Sequence, residues 1–370
     1  MTMGLKANAD GSGAIQVGGS DAITIASGLN TTFLQNLNAP NTFGFKNRLI
    51  NGSFQIAQRS TGASSTPAAG TTAYVALDRW FIAQTGTTAS LLCSQSTPQT
   101  TGVFKAGYFG RNSGQTNVPT NIFFGQQIES FNVYDLRGQT VTASFNAFRG
   151  ANAPASLTVV ARFGTAADQS SSDGITGSWT GYTAATASVL SVGTTVASYT
   201  YSFSVPSDAS EMMLLFFYTP TGTAGANEFF ALENVQLEEG TTATSFDVRP
   251  YGTELALCQR YYYRVTDTTN AITLAGFATS TTAASFFNNF PVNMRIAPTA
   301  LEQTGTAANY RVQGAGAATV VCSAVPSFSS ATVNQARTVF TVASGLTAYN
   351  AGVGSPASGV TAYLGWNVEL

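Results

Sequence analysis

The sequence contains no histidine and very little charge. Among its 370 residues, 16 are lysine or arginine and 18 are aspartate or glutamate, so charged residues make up 9% of the chain, against roughly 25% in ordinary soluble domains. The absence of histidine excludes histidine-based triads and proton shuttles, and it removes most zinc sites. The formal net charge of -2 gives no basic surface, so we expect no nucleic-acid partner.

Long hydrophobic runs are absent and cysteine is scarce. The longest run of large apolar residues, Met212 to Tyr218, has seven residues, far fewer than the roughly 20 needed to span a bilayer. The first ten residues contain no hydrophobic signal core, which predicts synthesis in a cytoplasm and no membrane insertion. The cysteines are Cys93, Cys258 and Cys322. Because they form no C-x-x-C pair, we expect buried free thiols.

Threonine, glycine and phenylalanine dominate what is present. Threonine alone outnumbers all charged residues, and the chain has 36 glycines and 25 phenylalanines. This composition favours strands joined by tight turns over a helical bundle. A surface with so few charges depends on hydroxyl and amide hydration for its solubility, or it is buried in an oligomer. The composition therefore predicts an all-β protein and gives a first indication of a multimer.

Residues 47–250 show repeated short strands. Residues 140–148 alternate most clearly, with Val141, Ala143, Phe145 and Ala147 on one side, which is typical of a half-buried strand. Separation by Gly, Thr and Ser turns predicts a β-sandwich. The predicted strands cover residues 74–82, 91–93, 122–131, 140–148, 156–163, 198–205, 212–219 and 229–237, with a Ser-rich loop at 164–180.

The two ends of the chain differ from this middle part. Residues 1–45 are rich in Gly, Ser, Asn and Ala, with short apolar patches at 22–25 and 33–37 that cannot form a core alone. We expect this segment to be either flexible or ordered by a partner. A helix is predicted from Thr253 to Arg264, with Thr253 as the cap, although the three consecutive tyrosines at its end could equally begin a strand. Strand patterns resume from residue 271 to 370.

Several motifs occur in order along the middle of the chain. They are NRLINGSFQIAQR at 47–59, LDRW at 77–80, QQIE at 126–129, FFALENVQLEEG at 229–240 and FDVRPYGTELALCQRYYY at 246–263, followed by PVNMR at 291–295 and APT at 297–299. Together they resemble tailed-bacteriophage tail fibre and appendage proteins, in which such an opening precedes a jelly roll similar to carbohydrate-binding modules. Residues 1–45 match this pattern only loosely, as an attachment segment.

The resemblance implies an all-β virion protein with four parts. These are an extended N-terminal virion-attachment segment (1–45), a jelly-roll β-sandwich (46–250), a helical connector (251–264) and a C-terminal β-domain for trimerisation or receptor contact (265–370). It also implies a homotrimer that joins a phage tail or capsid protein through residues 1–45. The resemblance leaves the kind of appendage open, because the module recurs in fibres, spikes and head decorations.

The run Asp78-Arg79-Trp80 is the first candidate site. A tryptophan ring can stack on a sugar, while aspartate and arginine can hydrogen-bond to its hydroxyl groups. The alternative is a structural role, in which a buried tryptophan lies beside an Asp–Arg ion pair that closes the sandwich. The apolar neighbours Leu77 and Phe81 favour the structural role.

Glu233, Glu238 and Glu239 are close in sequence, and glycoside hydrolysis needs paired carboxylates. Because Glu233 would share a strand face with apolar residues, we expect it to be partly buried and paired with an arginine such as Arg79 or Arg249. The other two glutamates indicate a strand end and a turn. We therefore expect no catalytic residue and no enzyme activity.

Asp168 and Asp173 do not have the spacing of a calcium-binding loop. A solvated loop is the favoured interpretation, with no cofactor and no metal site. A calcium ion held mainly by backbone carbonyls would leave no mark in the sequence, so that alternative stays open.

Aromatic side chains beside Gly, Asn or Thr can stack on sugars or anchor subunit interfaces. They are Trp179, Tyr182, Tyr310, Tyr349 and Tyr363. For any one of them a core or interface role is favoured. An appendage anchored by its N-terminal segment presents its C-terminal half outward, so we expect residues 265–370 to carry recognition, with Tyr310 and Tyr349 as ligand contacts.

The function predicted from the sequence is attachment of a virus particle to host-surface carbohydrate by non-covalent binding. The low net charge suits a neutral glycan better than an anionic one. Two alternatives remain, namely a purely structural virion protein, such as a capsid decoration or fibre spacer, and a glycan depolymerase.

Overall fold

The computed structural model of the chain describes residues 3–7, 13–17, 20–25, 45–267, 274–314, 319–356 and 362–370. Residues 1–46 and 47–370 are two compact units. In the first unit, β1 (Met3–Ala7), β2 (Gly13–Val17) and β3 (Ser20–Ile25) form an antiparallel three-stranded sheet. The apolar patch at 22–25 lies in β3, and the patch at 33–37 lies outside the described residues. The attachment role of residues 1–45 stays a prediction.

The first part of the second unit is a two-sheet sandwich. Its strands are β4 (Gly62–Ser65), β5 (Thr72–Ala73), β6 (Phe81–Gly86), β7 (Leu91–Ser96), β8 (Ala106–Arg111), β9 (Pro119–Ile128), β10 (Thr140–Arg149), β11 (Ser156–Gly164), β12 (Thr183–Ala184), β13 (Ser188–Ser191), β14 (Ala197–Ser204), β15 (Glu211–Tyr218) and β16 (Phe229–Glu239). One sheet has the order β14-β10-β16-β8-β7-β4. The other has the order β12-β11-β15-β9-β6-β5, with β13 paired to β11.

The sandwich core lies between the two sheets and is built by alternation. In β10, Val141, Ala143, Phe145 and Ala147 are all buried in one cluster with residues of the facing sheet such as Phe216. Strand β15 is apolar on both faces, as expected for a strand covered on both sides. These features confirm the predicted all-β class and its jelly-roll sandwich.

The predicted strand at 74–82 is wrong over most of its length. Residues 74–80 form a loop between β5 and β6, with bends at 76–77 and a turn at 78–79, where the backbone N–H of Trp80 donates to the Leu77 carbonyl oxygen at 3.1 Å. Arg79 has a φ of 70°, which lies outside the extended region. Apolar residues are present here because the turn is buried, and burial alone does not distinguish a strand from a buried turn.

The predicted helical connector at 251–264 is shorter than expected. The helix runs over Tyr251–Gln259 and follows Pro250, so Thr253 is not its cap. Strand β17 (Tyr262–Asp267) begins at the run of tyrosines and pairs with β25 (Ala362–Asn367). Cross-strand pairing therefore decides the conformation of the tyrosines, which was the alternative that the sequence left open. A second short helix, Ser171–Thr176, lies within the predicted loop at 164–180.

The C-terminal region belongs to the same compact unit as the sandwich and has its own sheets and its own hydrophobic cluster. The remaining strands are β18 (Leu274–Ala278), β19 (Ala283–Asn289), β20 (Glu302–Gln303), β21 (Tyr310–Gly314), β22 (Thr319–Ala331), β23 (Gln335–Val342) and β24 (Ala351–Pro356). Strands β18, β19, β23, β22, β21 and β24 close into a barrel, and β17, β25 and β20 form a small sheet. Short 3-10 helices occur at Ser130–Asn132, Tyr134–Leu136 and Ala307–Asn309. Within the described ranges, no helix has the length and apolarity that a membrane span requires.

Ion pairs and hydrogen bonds join the sandwich to the C-terminal region. Arg295 donates from Nε to the Val368 carbonyl oxygen at 3.0 Å and forms an ion pair with Asp168 of the sandwich at 3.4 Å. Arg260 forms an ion pair with Glu129 at 2.6 Å. Charge is rare in this chain, so its concentration at this junction indicates that the few charged residues hold the two parts together.

Glu211 lies near this junction and gives a pH-dependent prediction. Burial raises its pKa from 4.5 to about 7, although the Gln127 side chain and the Gln169 backbone N–H donate to the carboxylate. The folded protein thus holds this proton more tightly than the unfolded chain. The stabilisation is present below pH 4.5 and is lost as the pH rises to about 7. We expect Glu211→Gln to flatten the fall in unfolding free energy between these pH values, as measured by chemical denaturation.

Asp208→Asn is the matched control, because Asp208 is an exposed carboxylate a few residues away. In this variant the unfolding free energy should fall with pH as steeply as in wild type. If Glu211→Gln retained the wild-type slope, the carboxylate of Glu211 would not be the group that titrates.

Candidate functional site

A groove of about 300 Å³ crosses the outer face of the six-stranded sheet, over β14, β10 and β16. Part of its floor is formed by Ser144 and Asn146 of β10. These side chains point outward because the strand alternates, with Ala143 and Ala147 pointing into the core. The lining residues are uncharged and most carry a hydroxyl or an amide: Ser144, Phe145, Asn146, Ser198, Tyr199, Thr200, Asn234, Ala243, Thr244 and Phe246.

The floor of the groove offers free hydroxyl groups. Ser144 and Thr200 are opposite each other in the β10–β14 pair, and Thr200 is exposed. Within the described part of the chain, neither hydroxyl makes a hydrogen bond. By contrast, Ser198 donates to Asn146 Oδ1 at 2.7 Å, which fixes the Asn146 amide. The floor can therefore both donate to and accept from a ligand rich in hydroxyl groups.

Two buried glutamates of β16 hold the segments on either side of the groove. Glu233 Oε1 accepts hydrogen bonds from the backbone N–H groups of Gln99 at 2.6 Å and Thr100 at 3.4 Å. Glu238 accepts from the backbone N–H of Thr244 at 2.8 Å and from its hydroxyl at 2.6 Å. Both glutamates are at most 1% exposed. Since these carboxylates bind backbone amides, they anchor both segments to the sheet.

The predicted arginine partner of Glu233 is wrong. Arg79 forms an ion pair with Glu369, and Arg249 forms one with Glu254 at 3.3 Å. The backbone N–H groups of the connection between β7 and β8 take the place of an arginine. Hydrogen bonds of this kind can also satisfy a carboxylate.

A bulge in β16 explains why the face of Glu233 was misjudged. Asn234 has a φ of 48°, and the register of β16 against β10 shifts between Ser144 and Asn146. The extra residue puts Glu233 on the outer face while Val235 returns to the core. The bulge also brings Asn234 into the lining of the groove. Strict alternation in the sequence does not predict such an insertion.

The Asp78-Arg79-Trp80 run has the structural role that was favoured. Trp80 is fully buried, stacks on Phe124 with ring centroids 4.9 Å apart, and donates from Nε1 to the Asn51 carbonyl oxygen at 3.0 Å. Its ring is therefore part of the sandwich core and does not face a ligand.

The expected ion pair between Asp78 and Arg79 does not form. Arg79 pairs with Glu369, whereas Asp78 accepts from the backbone N–H of Gln58 at 3.0 Å and from its side-chain amide. Burial raises the pKa of Asp78 to about 6, against the opposing effects of Arg59 and of these hydrogen bonds. The run therefore closes the junction through two different partners.

Tyr310, predicted as a ligand contact, lies in the core of the barrel. It is 2% exposed, packs edge-on against Phe340, and donates from its hydroxyl to the Tyr363 carbonyl oxygen at 2.5 Å. The alternation of β21 places Tyr310 and Val312 on the inner side, so the contacts of Tyr310 are those of a core residue, and its role as a ligand contact stays a prediction. Tyr349 is 85% exposed, and its role as a ligand contact stays a prediction.

The other aromatic candidates make contacts within the chain. Trp179 is 3% exposed and donates from Nε1 to the Ser170 carbonyl oxygen at 2.8 Å. The ring of Tyr363 lies 3.6 Å from the Arg264 guanidinium. These contacts agree with the core roles that the sequence favoured.

Asp168 and Asp173 are both exposed. Asp168 accepts from the Ser130 hydroxyl at 2.8 Å, and Asp173 lies in the first turn of the short helix Ser171–Thr176. In the ranges that the structure describes, no three Cys, Asp or Glu side chains gather into a group that could hold a metal ion. All three cysteines are buried free thiols, as predicted.

Sequence reasoning missed the groove floor, although its signal was present. The outward residues of β10 and β14 are Thr142, Ser144 and Asn146 in one strand and Ser198, Thr200 and Ser202 in the other. Each strand shows this alternation separately. The pairing of β14 beside β10, which no local pattern specifies, gathers the polar side chains into one surface.

No protein-family model matches the sequence, and no curated protein matches it either. Among solved structures, the enzymatically active domain of tailspike protein 4 of bacteriophage CBA120 is similar with a TM-score of 0.31 and 15% identity. The match covers 53% of this chain and 22% of that one. A chain from "CBM4 structure and function" has a TM-score of 0.29 and 17% identity, over 51% of this chain and 98% of that one. The CBM22-1 xylan-binding domain of Paenibacillus barcinonensis Xyn10C has a TM-score of 0.27 and 14% identity. This match covers 49% of this chain and 95% of that one. Because these scores are low, the sandwich is assigned from this chain's own strand pairing.

Proposed function

We propose that this chain is a virion appendage protein of a tailed phage, of the tail-fibre type, and that it attaches the particle to host-surface carbohydrate by non-covalent binding in the groove. The observation that carries the proposal is the uncharged lining of hydroxyl and amide groups, with Phe246 beside it. The ordered motifs at 47–59, 229–240 and 246–263 support the phage assignment.

The chemistry of the lining favours a neutral glycan. Sugar hydroxyls can donate to and accept from Ser144, Thr200 and Asn234, and the C–H face of a sugar ring can pack on Phe246. A sulfate or carboxylate on the ligand would find no lysine or arginine among the lining residues. A single groove of this size gives weak binding, so attachment would depend on several copies per particle.

The same proposal includes the assembly. The low charge and the family resemblance support a homotrimer that joins a phage tail or capsid protein through residues 1–45. Each trimer would then present three grooves to the host surface.

The proposed binding involves no covalent chemistry. Glu233 and Glu238 are buried and bind backbone amides, and a carboxylate held in this way is poorly placed to protonate a leaving group. An assay for reducing-sugar release from host polysaccharide tests the depolymerase alternative, and release of sugar would overturn this part of the proposal.

Groove variants test the binding function. We expect Thr200→Val to remove one hydroxyl at nearly constant volume and Phe246→Ala to remove the ring. Each should weaken binding of the best ligand by about tenfold, or roughly 1.4 kcal/mol. The measurement is titration calorimetry with a panel of neutral gluco-, manno- and galacto-oligosaccharides.

Ser204→Ala is the control, because Ser204 is exposed on the outward side of β14 and outside the groove. It should bind like wild type. If Tyr349→Ala lost binding while the groove variants kept it, recognition would lie in residues 265–370. If wild type bound no saccharide, the structural virion role would replace the proposal.

A further inference from the structure

The connection between β7 and β8, residues 97–105, crosses the outer face of the sheet and is here called the strap. None of its nine residues is buried. It turns at Gly102, which has a φ of 82° and open space around its Cα. A segment with so little buried apolar surface opens at low free-energy cost.

A few hydrogen bonds hold the strap to the sheet. The main anchor is Glu233, whose Oε1 accepts from Gln99 and Thr100, while Asn146 Nδ2 donates to Thr100 Oγ1 at 3.3 Å. Gln99 Oε1 also accepts from the backbone N–H of Val196 at 3.0 Å. Although Glu233 is fully buried, its second oxygen has no hydrogen-bond partner within the described residues.

An aromatic cluster lies beyond the strap on the same outer face. Phe148 is 2% exposed, and Tyr108 and Phe229 stack with ring centroids 4.4 Å apart and pack edge-on against it. Phe148 follows Asn146 by two residues on one strand, a rise of about 7 Å. Val196, which the strap contacts, packs against the cluster. The anchors of the strap therefore separate the groove from the aromatic cluster.

We propose that the strap is a lid and that its opening joins the groove to a second saccharide subsite formed by Tyr108, Phe148 and Phe229, with Glu233 as hydrogen-bond acceptor. Aromatic faces take the C–H side of sugar rings. The unpaired oxygen of Glu233 suits a sugar hydroxyl donor, and a second subsite lengthens the ligand that the sheet can hold. The saccharide assignment rests on the proposed function, whereas the lid itself does not.

Hydrogen exchange and footprinting test the lid without a ligand. We expect the amides of Gln99 and Thr100 to exchange at least tenfold faster than those in the middle of β10. Glu233→Gln replaces a charge-assisted hydrogen bond with a neutral one. We expect it to speed exchange of the strap by about fivefold and to increase hydroxyl-radical labelling of Phe148. The control is Glu238→Gln, which weakens the anchor of the Thr244 segment. It should change neither the exchange of the strap nor the labelling of Phe148.

The subsite is tested with oligosaccharides of increasing length from the panel that binds the groove. We expect long oligosaccharides to speed exchange of the strap in wild type, and Glu233→Gln to favour long over short ones relative to wild type. Strap amides as slow as those of β10 would overturn the lid. An open strap with no preference for length would overturn the subsite. Failure of every saccharide to bind would overturn the proposed function and the saccharide assignment, while the exchange rates would still decide the lid.

Discussion

Replacing Glu369 with alanine is expected to lower the free energy of unfolding by about 3–5 kcal/mol, the usual cost of removing one partner of a buried ion pair. The side chains of Arg79 and Glu369 are 1% and 3% exposed. Arg79 also donates to the Gln127 carbonyl oxygen at 2.7 Å and lies 3.5 Å over the Tyr261 ring. Without Glu369 this buried cation, and that of Arg59 at 3.6 Å, would lose their counter-ion. Chemical denaturation measures the loss.

Asp135→Ala is the matched control for this variant. Arg48 and Asp135 form an ion pair at 2.6 Å, but Asp135 is 56% exposed, so its removal should cost less than about 1 kcal/mol. The double variant Arg79→Met with Glu369→Leu should be more stable than Glu369→Ala, because it leaves one fewer uncompensated buried charge. A loss for Glu369→Ala no larger than the control's would show that the ion pair does not stabilise the junction.

Trp80→Ala is expected to be comparably damaging, at about 3–5 kcal/mol. The indole lies between Phe124 and Phe54, with ring centroids 4.9 and 5.1 Å away. Its removal would leave a cavity at the centre of the aromatic core and would take away one of the two hydrogen bonds that the Asn51 carbonyl oxygen accepts, the other coming from the backbone N–H of Phe54. Thermal unfolding followed by circular dichroism measures the effect.

Phe131→Ala removes an aromatic ring that is 79% exposed and should change stability by less than about 0.5 kcal/mol. This pair of variants also separates the two interpretations of the LDRW motif. If the folded fraction of Trp80→Ala lost saccharide binding while keeping wild-type stability, Trp80 would be a ligand contact and not a core residue.

The sequence predicts the fold where one strand's own pattern is sufficient. Residues 140–148 and 212–219 are strands as predicted, because alternation or continuous apolar character is a local property. The sequence pattern does not predict the local conformation where contacts with residues far away in the chain determine it. Tyr262 is a strand residue because β25 pairs with it, and residues 74–80 form a turn because Asp78 and Trp80 bind residues 58 and 51.

The candidate site could be predicted only in part. The ordered motifs and the low charge favoured a neutral glycan ligand, and the location of its site could not be derived from them. The asparagine before Tyr310 is typical of a loop or strand end, although the strand places this side chain in the core of the barrel. The groove depends on the neighbours of β10 and on the bulge at Asn234. These are properties of the assembled sheet.

The contact between Arg79 and Glu369 spans 290 positions of the chain, and this has a consequence for synthesis. At about 5–20 residues per second, roughly 15–60 s pass between the two residues leaving the ribosome. Likewise, the hydrogen bond from the Asn47 side-chain amide to the Val235 carbonyl oxygen cannot form until a further 188 positions have been synthesised. During this interval the growing chain carries unmatched arginines and an open edge on its sheets. A chain of this design should therefore depend on chaperones during its synthesis, and truncation before β25 should yield aggregates instead of a smaller stable fragment.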